Sequence, residues 1–539
     1  MTCRSALPAL RMACLLALAS LSACSPRSAQ HNDTTSQAPF DTIFDDVMKR
    51  YQLPGLALGV IEDGKVVYTR TAGELIADSG QKVDNDTLFK IASNSKAMTT
   101  GVLARLVDAG KLNWDDPVTK YLPQFRMYDP WVTQNMQVRD LLIHNTGLRE
   151  GAGDLMLWPE PNQFTRADII AGLAHLKPQQ SFRSHYAYDN LMYVVAGEVA
   201  AAASGTPYEE LVRRELFAPL GMTRCQAGAW NRDQVGNVAQ PHMQQDGRNL
   251  RTNNDEQNIP AITSAAAGGI RCSLNDMLTW MRMWLDADLR TASGQPWLSQ
   301  AQRETLWTLH MPMPLSKRQR NWDGSRFNGY GFGWRLSDVD GVLRVAHTGT
   351  LSGMYSSLNL FPEKKSGFVF MINGEGSQAR AVLISALAKL FTAPDKAHPV
   401  SWYADQLDAE KAAEPAEKRA PDTSARKAVT ATAFKRWLGL YSDPWFGDVS
   451  VCAQGNEVSF ASAKSPMLRG RVMTVGDRLL VDWNADSVDS EPWLQFADPA
   501  ATGRANNNPI TLTLTKVDPD ADFSYDYEDL AFTRVGDCK

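Results

Sequence analysis

Two periodicities of hydrophobic residues run through the first three quarters of the chain, one typical of strands and one typical of helices. Gly55–Glu62 and Lys65–Arg70 are rich in aliphatic residues and flank Asp63-Gly64, a dipeptide typical of a hairpin turn. Elsewhere apolar residues recur at helical spacing, which predicts a series of helices. The predicted helices are Phe40–Arg50, Ser93–Ala109, Val138–Ile143, Ala167–Leu176, Leu191–Ala203, Tyr208–Phe217, Leu274–Trp284 and Ala379–Leu390.

Strand patterns return after residue 340, at Val342–Ala346, Tyr355–Phe361 and Gly367–Ile372. Because strands at both ends enclose a run of helices, we predict an α+β fold in which helices flank one antiparallel sheet. Residues 395–430 differ in composition, since Ala, Glu, Lys and Pro dominate there. This segment is predicted to be a linker or an exposed helix outside the core.

Beyond residue 430 the pattern changes to short alternating segments that are separated by turn residues. Such a series predicts an all-β module, most simply a small barrel. The predicted strands are Val449–Cys452, Val458–Phe460, Leu479–Trp483, Trp493–Phe496, Ile510–Lys516 and Leu530–Val535. The expected divisions of the chain are a leader at 1–23, a tether at 24–38, the α+β domain at 39–394, the linker at 395–430 and the barrel at 431–539.

The leader has the features of a signal peptide. Arg4 and Arg11 accompany an apolar stretch at 12–21, which is shorter than the roughly 20 residues that span a bilayer. The stretch runs into the letters LSAC at 21–24, which resemble the lipobox of bacterial lipoproteins, so Cys24 is the expected lipidation site. An ordinary secretory signal with a coincidental cysteine is the alternative.

A lipidated Cys24 implies a protein of the cell envelope, anchored on the periplasmic side. Ser25 after the cysteine fits sorting to the outer membrane if the source is Gram-negative. No later segment has 18 consecutive apolar residues, so the body of the protein is predicted to be anchored rather than to span the bilayer. The membrane is therefore one expected partner.

Composition excludes other classes of protein. The 539 residues include 55 Lys and Arg against 60 Asp and Glu, a net charge of −5, and 44% of them are hydrophobic. These values are ordinary for globular proteins and argue against a disordered chain. The mild negative charge also argues against a nucleic-acid partner, because nucleic-acid binders normally carry a basic face.

Four cysteines remain when the leader and Cys24 are set aside, and they allow three disulfide pairings. We favour Cys225–Cys272 and Cys452–Cys538, because each pair then lies within one predicted domain. An oxidising compartment permits both bonds. Free buried thiols are the alternative.

Known catalytic patterns leave one candidate nucleophile. The chain has no G-x-S-x-G, H-E-x-x-H, C-x-x-C or P-loop and no histidines at metal-ligand spacing, so neither a metal nor a cofactor is expected. Ser93 and Lys96 lie one turn apart in FKIASNSKAMTT at 89–100, where a lysine of lowered pKa can take the serine proton. Ser424 and Lys427 repeat the spacing in the charged linker, so the motif alone is weak evidence.

Four segments accompany 89–100 in the chain: 106–125, 138–148, YAYDNLMYVVAG at 186–197 and AHTGTLSG at 346–353. Together the five segments resemble the serine hydrolases related to class C β-lactamases and D-Ala-D-Ala carboxypeptidases. The segment at 186–197 resembles the Tyr-x-Asn motif of that family, and the segment at 346–353 resembles its Lys-Thr-Gly or His-x-Gly motif. The resemblance extends over about residues 40–390 and implies a β-lactamase/transpeptidase-like fold. A second, shorter resemblance concerns the C-terminal module. The segment LGLYSDPWFGDVS at 438–450 is similar to lipocalin-like barrels that are appended to certain serine peptidases of this group.

The resemblance implies an acyl-enzyme mechanism. Ser93 would attack a carbonyl with Lys96 beside it, and Tyr188 would pass the proton to the leaving group, its phenol acidified by surrounding positive charge. The backbone N–H groups of Ser93 and Thr350, with Gly349 adjacent, would form the oxyanion hole. Tyr188 has a simpler alternative as an ordinary half-buried aromatic residue at a helix start.

Asn190 and His347 complete the implied site. Asn190 would orient Lys96 or hold a substrate amide, but it could simply cap the helix that follows. His347 would support Tyr188 electrostatically or bind an acidic substrate group, and its alternative is a satisfied strand residue. It stands where β-lactamases and carboxypeptidases carry a permanently charged Lys, so efficient β-lactamase activity is in doubt. Relatives with His here resemble D-aminopeptidases, esterases and broad amide hydrolases.

The sequence therefore predicts a lipid-anchored envelope serine hydrolase that cleaves an amide or ester through acyl-Ser93. Peptidase or amidase action on small peptides, including ones with D-residues, is the leading interpretation. Esterase, β-lactamase and a slowly deacylating penicillin sensor are alternatives, as is a binding lipoprotein with an inactive hydrolase part. The pattern leaves the oligomeric state and the role of the barrel open.

Overall fold

The structure, a computed structural model, describes residues 37–252, 254–291, 294–415, 418–498 and 509–538. The predicted signal peptide, Cys24 and the tether up to residue 36 lie outside the described residues. Among the helices that the structure describes, none is both long enough and apolar enough to cross a membrane.

The described part of the chain contains strands and helices in three groups: an N-terminal domain, a segment joining it to the C-terminal module, and that module. The strands are β1 (Gly55–Glu62), β2 (Lys65–Gly73), β3 (Phe89–Lys90), β4 (Trp230–Asn231), β5 (His242–Gln245), β6 (Arg248–Arg251), β7 (Asn258–Ile259), β8 (Arg271–Cys272), β9 (Met311–Pro312), β10 (Asn328–Tyr330), β11 (Arg335–Val339), β12 (Val342–Leu351), β13 (Met354–Phe361), β14 (Ser366–Ile372), β15 (Lys427–Ala428), β16 (Gly439–Asp443), β17 (Gly447–Gln454), β18 (Glu457–Ser462), β19 (Arg469–Val475), β20 (Arg478–Trp483), β21 (Pro492–Ala497), β22 (Thr511–Lys516) and β23 (Ala531–Gly536).

The α-helices are α1 (Ala38–Tyr51), α2 (Ser95–Asp108), α3 (Pro130–Asn135), α4 (Arg166–Gly172), α5 (Leu191–Ser204), α6 (Tyr208–Val212), α7 (Ala218–Leu220), α8 (Arg232–Val235), α9 (Ala265–Gly268), α10 (Leu274–Leu285), α11 (Gln300–Leu306), α12 (Lys317–Asn321), α13 (Ser377–Thr392) and α14 (Val400–Ala412). A π-helical turn, Arg213–Phe217, joins α6 to α7. Short 3₁₀ helices include Ala92–Asn94, Val138–Leu142 and Asp154–Met156.

The N-terminal domain is built on one eight-stranded sheet in the order β2-β1-β14-β13-β12-β11-β10-β9, and the neighbouring strands are antiparallel. Both faces of the sheet are covered. On β1, Ala57 and Ile61 point into the core that includes α2, α5 and α10, whereas Leu58 and Val60 point into the core that includes α1 and α13. This alternation explains why the strand reads as a continuous apolar run. The predicted α+β fold is confirmed.

One part of the predicted linker differs from the prediction. Residues 400–412 form α14, which packs against α13 and buries Val400, Tyr403 and Leu407 in the second core. These residues follow helical spacing, but the surrounding Ala, Glu and Lys made the segment look exposed. The N-terminal domain therefore gains a helix that the composition had concealed.

The C-terminal module is a closed eight-stranded barrel. Its strands follow the order β16 to β23; β16 pairs with β23, and β19 also pairs with β20, so the sheet closes on itself. The predicted barrel is confirmed, although β16 and β19 were not among the strands predicted from alternation. Val451, Phe460 and Phe532 are among the side chains buried inside it. Both favoured disulfides, Cys225–Cys272 and Cys452–Cys538, are present.

The barrel is docked on the N-terminal domain. Arg149 pairs with Glu528 at 3.0 Å, and Lys464 pairs with Asp168 at 2.7 Å. Glu528 belongs to the loop between β22 and β23, and Lys464 belongs to the loop between β18 and β19. The first contact holds the loop between β22 and β23 against the face of the N-terminal domain at which the predicted motifs meet.

Candidate active site

Ser93 lies in a tight turn between β3 and α2. The preceding Ala92 has φ of 49°, a conformation that is uncommon for residues other than glycine and costs roughly 1 kcal/mol. β12 passes directly over this turn at Gly349, where a Cβ would overlap the carbonyl oxygen of Ile91 and the hydroxyl oxygen of Ser356. The glycine therefore lets the third motif approach the nucleophile, which the predicted oxyanion hole requires.

Lys96 is fully buried beneath Ser93. Its Nζ lies 3.1 Å from Ser93 Oγ, 2.7 Å from Asn190 Oδ1 and 2.8 Å from the carbonyl oxygen of Ala267. A neutral amine has two protons and one lone pair. Two of the neighbours can only accept, so the neutral amine directs its lone pair at the serine hydroxyl.

Burial also lowers the pKa of Lys96 to about 7, because the buried cation loses its hydration. The charges of Asp154 and Asp189 raise that pKa, and the charge of Arg335 lowers it further. Part of the lysine is therefore uncharged at neutral pH. This agrees with the expected need for a lysine of lowered pKa.

Tyr188 lies directly before Asp189 and Asn190 at the start of α5, and it is buried beside the nucleophile. Its hydroxyl is within hydrogen-bonding reach of the Ser93 side chain, and Lys96 Nζ lies 4.8 Å from its ring centroid. The expectation of an acidified phenol is wrong, because burial raises the pKa of Tyr188 more than the charge of Arg335 lowers it. Tyr188 thus stands as a neutral phenol, and Lys96 is the better proton acceptor.

Asn190 occupies the N-cap position of α5, but its side chain makes no capping hydrogen bond. Instead its Oδ1 accepts from Lys96, and its Nδ2 donates to Asp154 Oδ2 at 2.8 Å. The expected role in orienting Lys96 is therefore consistent with the geometry. Asp154 was not predicted; it lies in a buried 3₁₀ turn among glycines, where a single carboxylate gives no pattern to recognise. Burial raises the pKa of its carboxyl well above the usual value.

His347 lies on β12, and both of its ring nitrogens are engaged. Nδ1 lies 2.7 Å from the carbonyl oxygen of Thr348 and Nε2 lies 2.8 Å from the Tyr330 hydroxyl. Since a carbonyl only accepts, Nδ1 carries the proton and Nε2 accepts from Tyr330. Burial lowers the pKa of His347 well below its usual value, so the ring is neutral. The expected roles of His347 were to support Tyr188 electrostatically or to bind an acidic substrate group, and a neutral ring supplies no positive charge for either.

Thr350 ends the third motif at the edge of the same cleft. Arg380 of α13 donates to its Oγ1 at 2.5 Å and to the carbonyl oxygen of Gly349 at 2.8 Å, which fixes the end of β12. Ser93, Tyr188, Asn190, His347 and Thr350 line one cavity of about 1190 Å³. The structure thus brings the three motifs together, while the role of each residue stays a prediction.

Comparison with known proteins identifies the family. The family profile described as Beta-lactamase matches residues 40–393. The chain belongs to the beta-lactamase family. Members of this family are serine hydrolases, and the protein is accordingly a serine hydrolase.

Three relatives illustrate the range of this beta-lactamase family. The unguisins hydrolase ungD' of Aspergillus campestris is 26% identical over 386 residues, which are 68% of this chain and 69% of the relative. Penicillin-binding protein 4 of Amycolatopsis lactamdurans is 26% identical over 331 residues, 61% of this chain and 84% of the relative. The octameric penicillin-binding protein homologue from Pyrococcus abyssi shares the fold, with a TM-score of 0.52 at 19% identity over 93% of this chain and 100% of that one.

One further side chain, Arg335, lines the cleft of this beta-lactamase-family protein. The guanidinium carbon of Arg335 lies between 5.8 and 6.0 Å from the ring centroids of Tyr186, Tyr188 and Tyr330, at the wall that His347 also lines. Among the described residues, no carboxylate lies within 4.0 Å of it. Sequence reasoning missed Arg335, because it lies on the strand beside the third motif and twelve positions before it.

Proposed function

We propose that this protein cleaves an amide or ester bond of a small substrate through an acyl intermediate on Ser93. The contact between Lys96 Nζ and Ser93 Oγ, 3.1 Å long inside a fully buried pocket, carries the proposal. A lysine that is held by two acceptors and partly uncharged at neutral pH is a competent general base.

The proposed reaction follows from these positions. Ser93 Oγ attacks the substrate carbonyl while its proton moves to Lys96 Nζ, and the backbone N–H groups at Ser93 and Thr350 stabilise the oxyanion. When the tetrahedral intermediate collapses, the bond to the leaving group breaks and the leaving group takes a proton through the Tyr188 hydroxyl. Water then attacks the acyl-enzyme with the same groups acting in reverse, which releases the acid and regenerates Ser93.

Peptidase or amidase action is the leading choice of substrate class. The cavity of about 1190 Å³ is large enough for a short peptide. The charge of Arg335 would bind a carboxylate near the scissile bond, a role that neutral His347 cannot fill. Relatives named as an unguisins hydrolase and as a penicillin-binding protein are consistent with amide chemistry.

Penicillin recognition is the second candidate function, and Arg335 favours it. A β-lactam carries a carboxylate next to its reactive amide, and the third motif of this chain lacks the lysine that would bind it. Arg335 supplies a positive charge at the same wall of the cleft. Slow hydrolysis of the acyl-enzyme would make the protein a sensor, and rapid hydrolysis would make it a β-lactamase.

The proposal includes attachment to the cell envelope through Cys24. The LSAC sequence at 21–24 and the preceding apolar stretch support it, and two disulfides fit an oxidising compartment. Metabolic labelling with a fatty-acid analogue tests this directly. We expect label on the wild type and none on Cys24→Ser; equal labelling of both would refute the anchor.

Intact-mass spectrometry tests the acyl-serine. Protein from residue 25 onward is incubated with benzylpenicillin, with p-nitrophenyl acetate and with D-alanine peptides, beside Ser93→Ala and the control Ser352→Ala. Ser352 is an exposed serine at the same cleft, so its loss should leave acylation intact. We expect adducts or turnover in the wild type and the control, and none in Ser93→Ala. Activity that survives in Ser93→Ala would reject the mechanism.

A further inference from the structure

The barrel contributes a loop to the wall of the catalytic cleft. The Phe523 ring lies 5.7 Å from the Tyr188 ring, centroid to centroid. The Phe523 backbone packs against Gly151, where a Cβ would lie 2.5 Å from the Phe523 carbonyl oxygen. Gly151 in turn donates its N–H to the Tyr188 carbonyl at 2.9 Å. The loop between β22 and β23 therefore lies against the ring of the proposed catalytic tyrosine and against the glycine that is hydrogen-bonded to its backbone.

Ser524, the next residue in this loop, connects the barrel to the proposed base. Its hydroxyl donates to Asp154 Oδ2 at 2.8 Å, the same oxygen that accepts from Asn190 Nδ2 at 2.8 Å. Asn190 then accepts from Lys96 through Oδ1 at 2.7 Å. An unbroken series of hydrogen bonds thus runs from a barrel serine through Asp154 and Asn190 to the amine beside Ser93.

Asp526 holds the same turn from its other side. Its buried carboxylate accepts from the N–H groups of Gly153 at 2.5 Å and Leu155 at 3.3 Å, which flank Asp154. The first N–H groups of a helical turn have no partner within the turn, so this carboxylate satisfies them as a cap would. Two side chains of one barrel loop therefore fix the position of Asp154.

The arrangement leaves Asp154 dependent on the barrel. Among the described residues, nothing hydrogen-bonds its Oδ1, so its contacts all converge on Oδ2. Without the Ser524 hydroxyl, a single donor would hold the carboxyl, and its rotation would also release the Asn190 amide. Because a small displacement of a catalytic group slows the chemical step, the effect should appear at Ser93.

We propose that Ser524 is a positioning residue of the active site, which holds Asp154 so that Asn190 keeps Lys96 directed at Ser93. The inference rests on the proposed acyl-serine function. In this proposal the barrel takes part in catalysis, because its Ser524 helps to position the general base Lys96.

The test uses the protein from residue 25 onward with p-nitrophenyl acetate, a small neutral ester. We expect Ser524→Ala to lower the maximal rate of Ser93 acylation about tenfold, as the loss of one hydrogen bond to a buried carboxyl group predicts, while the KM changes less than twofold. Ser524→Thr keeps the hydroxyl and should restore at least half of the lost rate.

Lys464→Met is the matched control for docking. It removes the 2.7 Å ion pair with Asp168, another contact between barrel and N-terminal domain, but touches no group in the series from Ser524 to Lys96. Thermal melting of each variant reports the stability of the fold. We expect Lys464→Met to acylate at the wild-type rate.

The outcomes separate the two proposals. If the wild type shows no Ser93-dependent acylation, the acyl-serine function fails, and the role of Ser524 fails with it. If the wild type reacts and Ser524→Ala reacts equally fast, only the role of Ser524 is overturned. It is overturned too if Lys464→Met slows the reaction as much as Ser524→Ala, or if Ser524→Thr restores nothing.

Discussion

Lys96 Nζ and Asn190 Oδ1 lie 2.7 Å apart, and this contact sets the direction of the lysine lone pair. The Asn190 amide oxygen accepts a hydrogen bond from one N–H of the neutral amine, and the Ala267 carbonyl accepts from the other. The lone pair of the amine therefore faces Ser93 Oγ. A residue that begins a helix is thus used to orient a base on another helix. The proton-accepting power of Lys96 depends on this geometry as much as on its burial.

Replacing Asn190 therefore tests the orientation of the base. We expect Asn190→Ala to slow acylation by about 10- to 100-fold, because Lys96 loses an acceptor and Asp154 loses a donor. The burst of p-nitrophenolate at pH 7 measures this rate.

Asn190→Asp keeps the shape of the side chain but adds a carboxylate beside Lys96. The new charge raises the pKa of the amine, so this variant should be slow at pH 7 and recover at higher pH, whereas Asn190→Ala should not recover. Equal rates in the wild type and Asn190→Ala would show that Asn190 merely occupies the helix start.

The motif residues were predictable from sequence because each motif is local: Ser93 and Lys96 are one turn apart, and Tyr188 and Asn190 are two positions apart. The groups that support them were not. Ser524 meets Asp154 across 370 positions, and Arg335 reaches the cleft only because β11 pairs with β12. Residue spacing cannot indicate such contacts, since topology creates them.

Burial is the other property that the sequence concealed. Positive charge near Tyr188 could be anticipated from the sequence, but the full burial of the Tyr188 side chain could not. Burial decides that the pKa of the phenol is raised rather than lowered. The same applies to α14, whose polar composition predicted exposure although one face is buried. By contrast, β1 was evident as an apolar run beside the Asp63-Gly64 turn, and six of the eight barrel strands were evident from alternation, whereas β16 and β19 were not.

The pH dependence of acylation should follow the titration of Lys96. Burial lowers its pKa to about 7; the charges of Asp154 and Asp189 raise this pKa, and the charge of Arg335 lowers it. The neighbouring His144 and His347 are neutral, because burial lowers the pKa of each ring well below its usual value. Below pH 7 the amine is protonated and cannot take the serine proton. The rate should therefore rise roughly tenfold from pH 6 to pH 8 and then level off. Stopped-flow acylation by a neutral ester measures it; a profile flat from pH 6 to 8 would exclude Lys96 as the base.

Arg335 should determine the preference for anionic substrates. Arg335→Met keeps the apolar stem but removes the charge, so the KM for a substrate with a carboxylate next to the scissile bond should rise about tenfold or more. A matched neutral ester or amide serves as the internal control, and its KM should change little. Comparison of kcat/KM for an acid and its methyl ester measures the effect. An equal loss for both would mean that Arg335 supports the tyrosines around it rather than the substrate.

Gly349→Ala should be among the most damaging single substitutions in the site. The added methyl group would overlap the Ile91 carbonyl and the Ser356 hydroxyl, which is itself fixed by hydrogen bonds to Asn94 Nδ2 and the Ile91 carbonyl, 2.8 Å each. The strand must then move away from the turn at Ser93. We expect a loss of about 1–3 kcal/mol in the free energy of unfolding and near-complete loss of acylation.

Gly536→Ala is the control for Gly349→Ala, because it adds the same methyl group at a strand end of the barrel where the nearest atom is 4.0 Å away. It should fold and acylate as the wild type does. Urea denaturation and the ester burst, measured on both variants, separate stability from chemistry. If Gly349→Ala retained full acylation, the end of β12 could not form part of the oxyanion hole, since a methyl group there forces Thr350 away from Ser93.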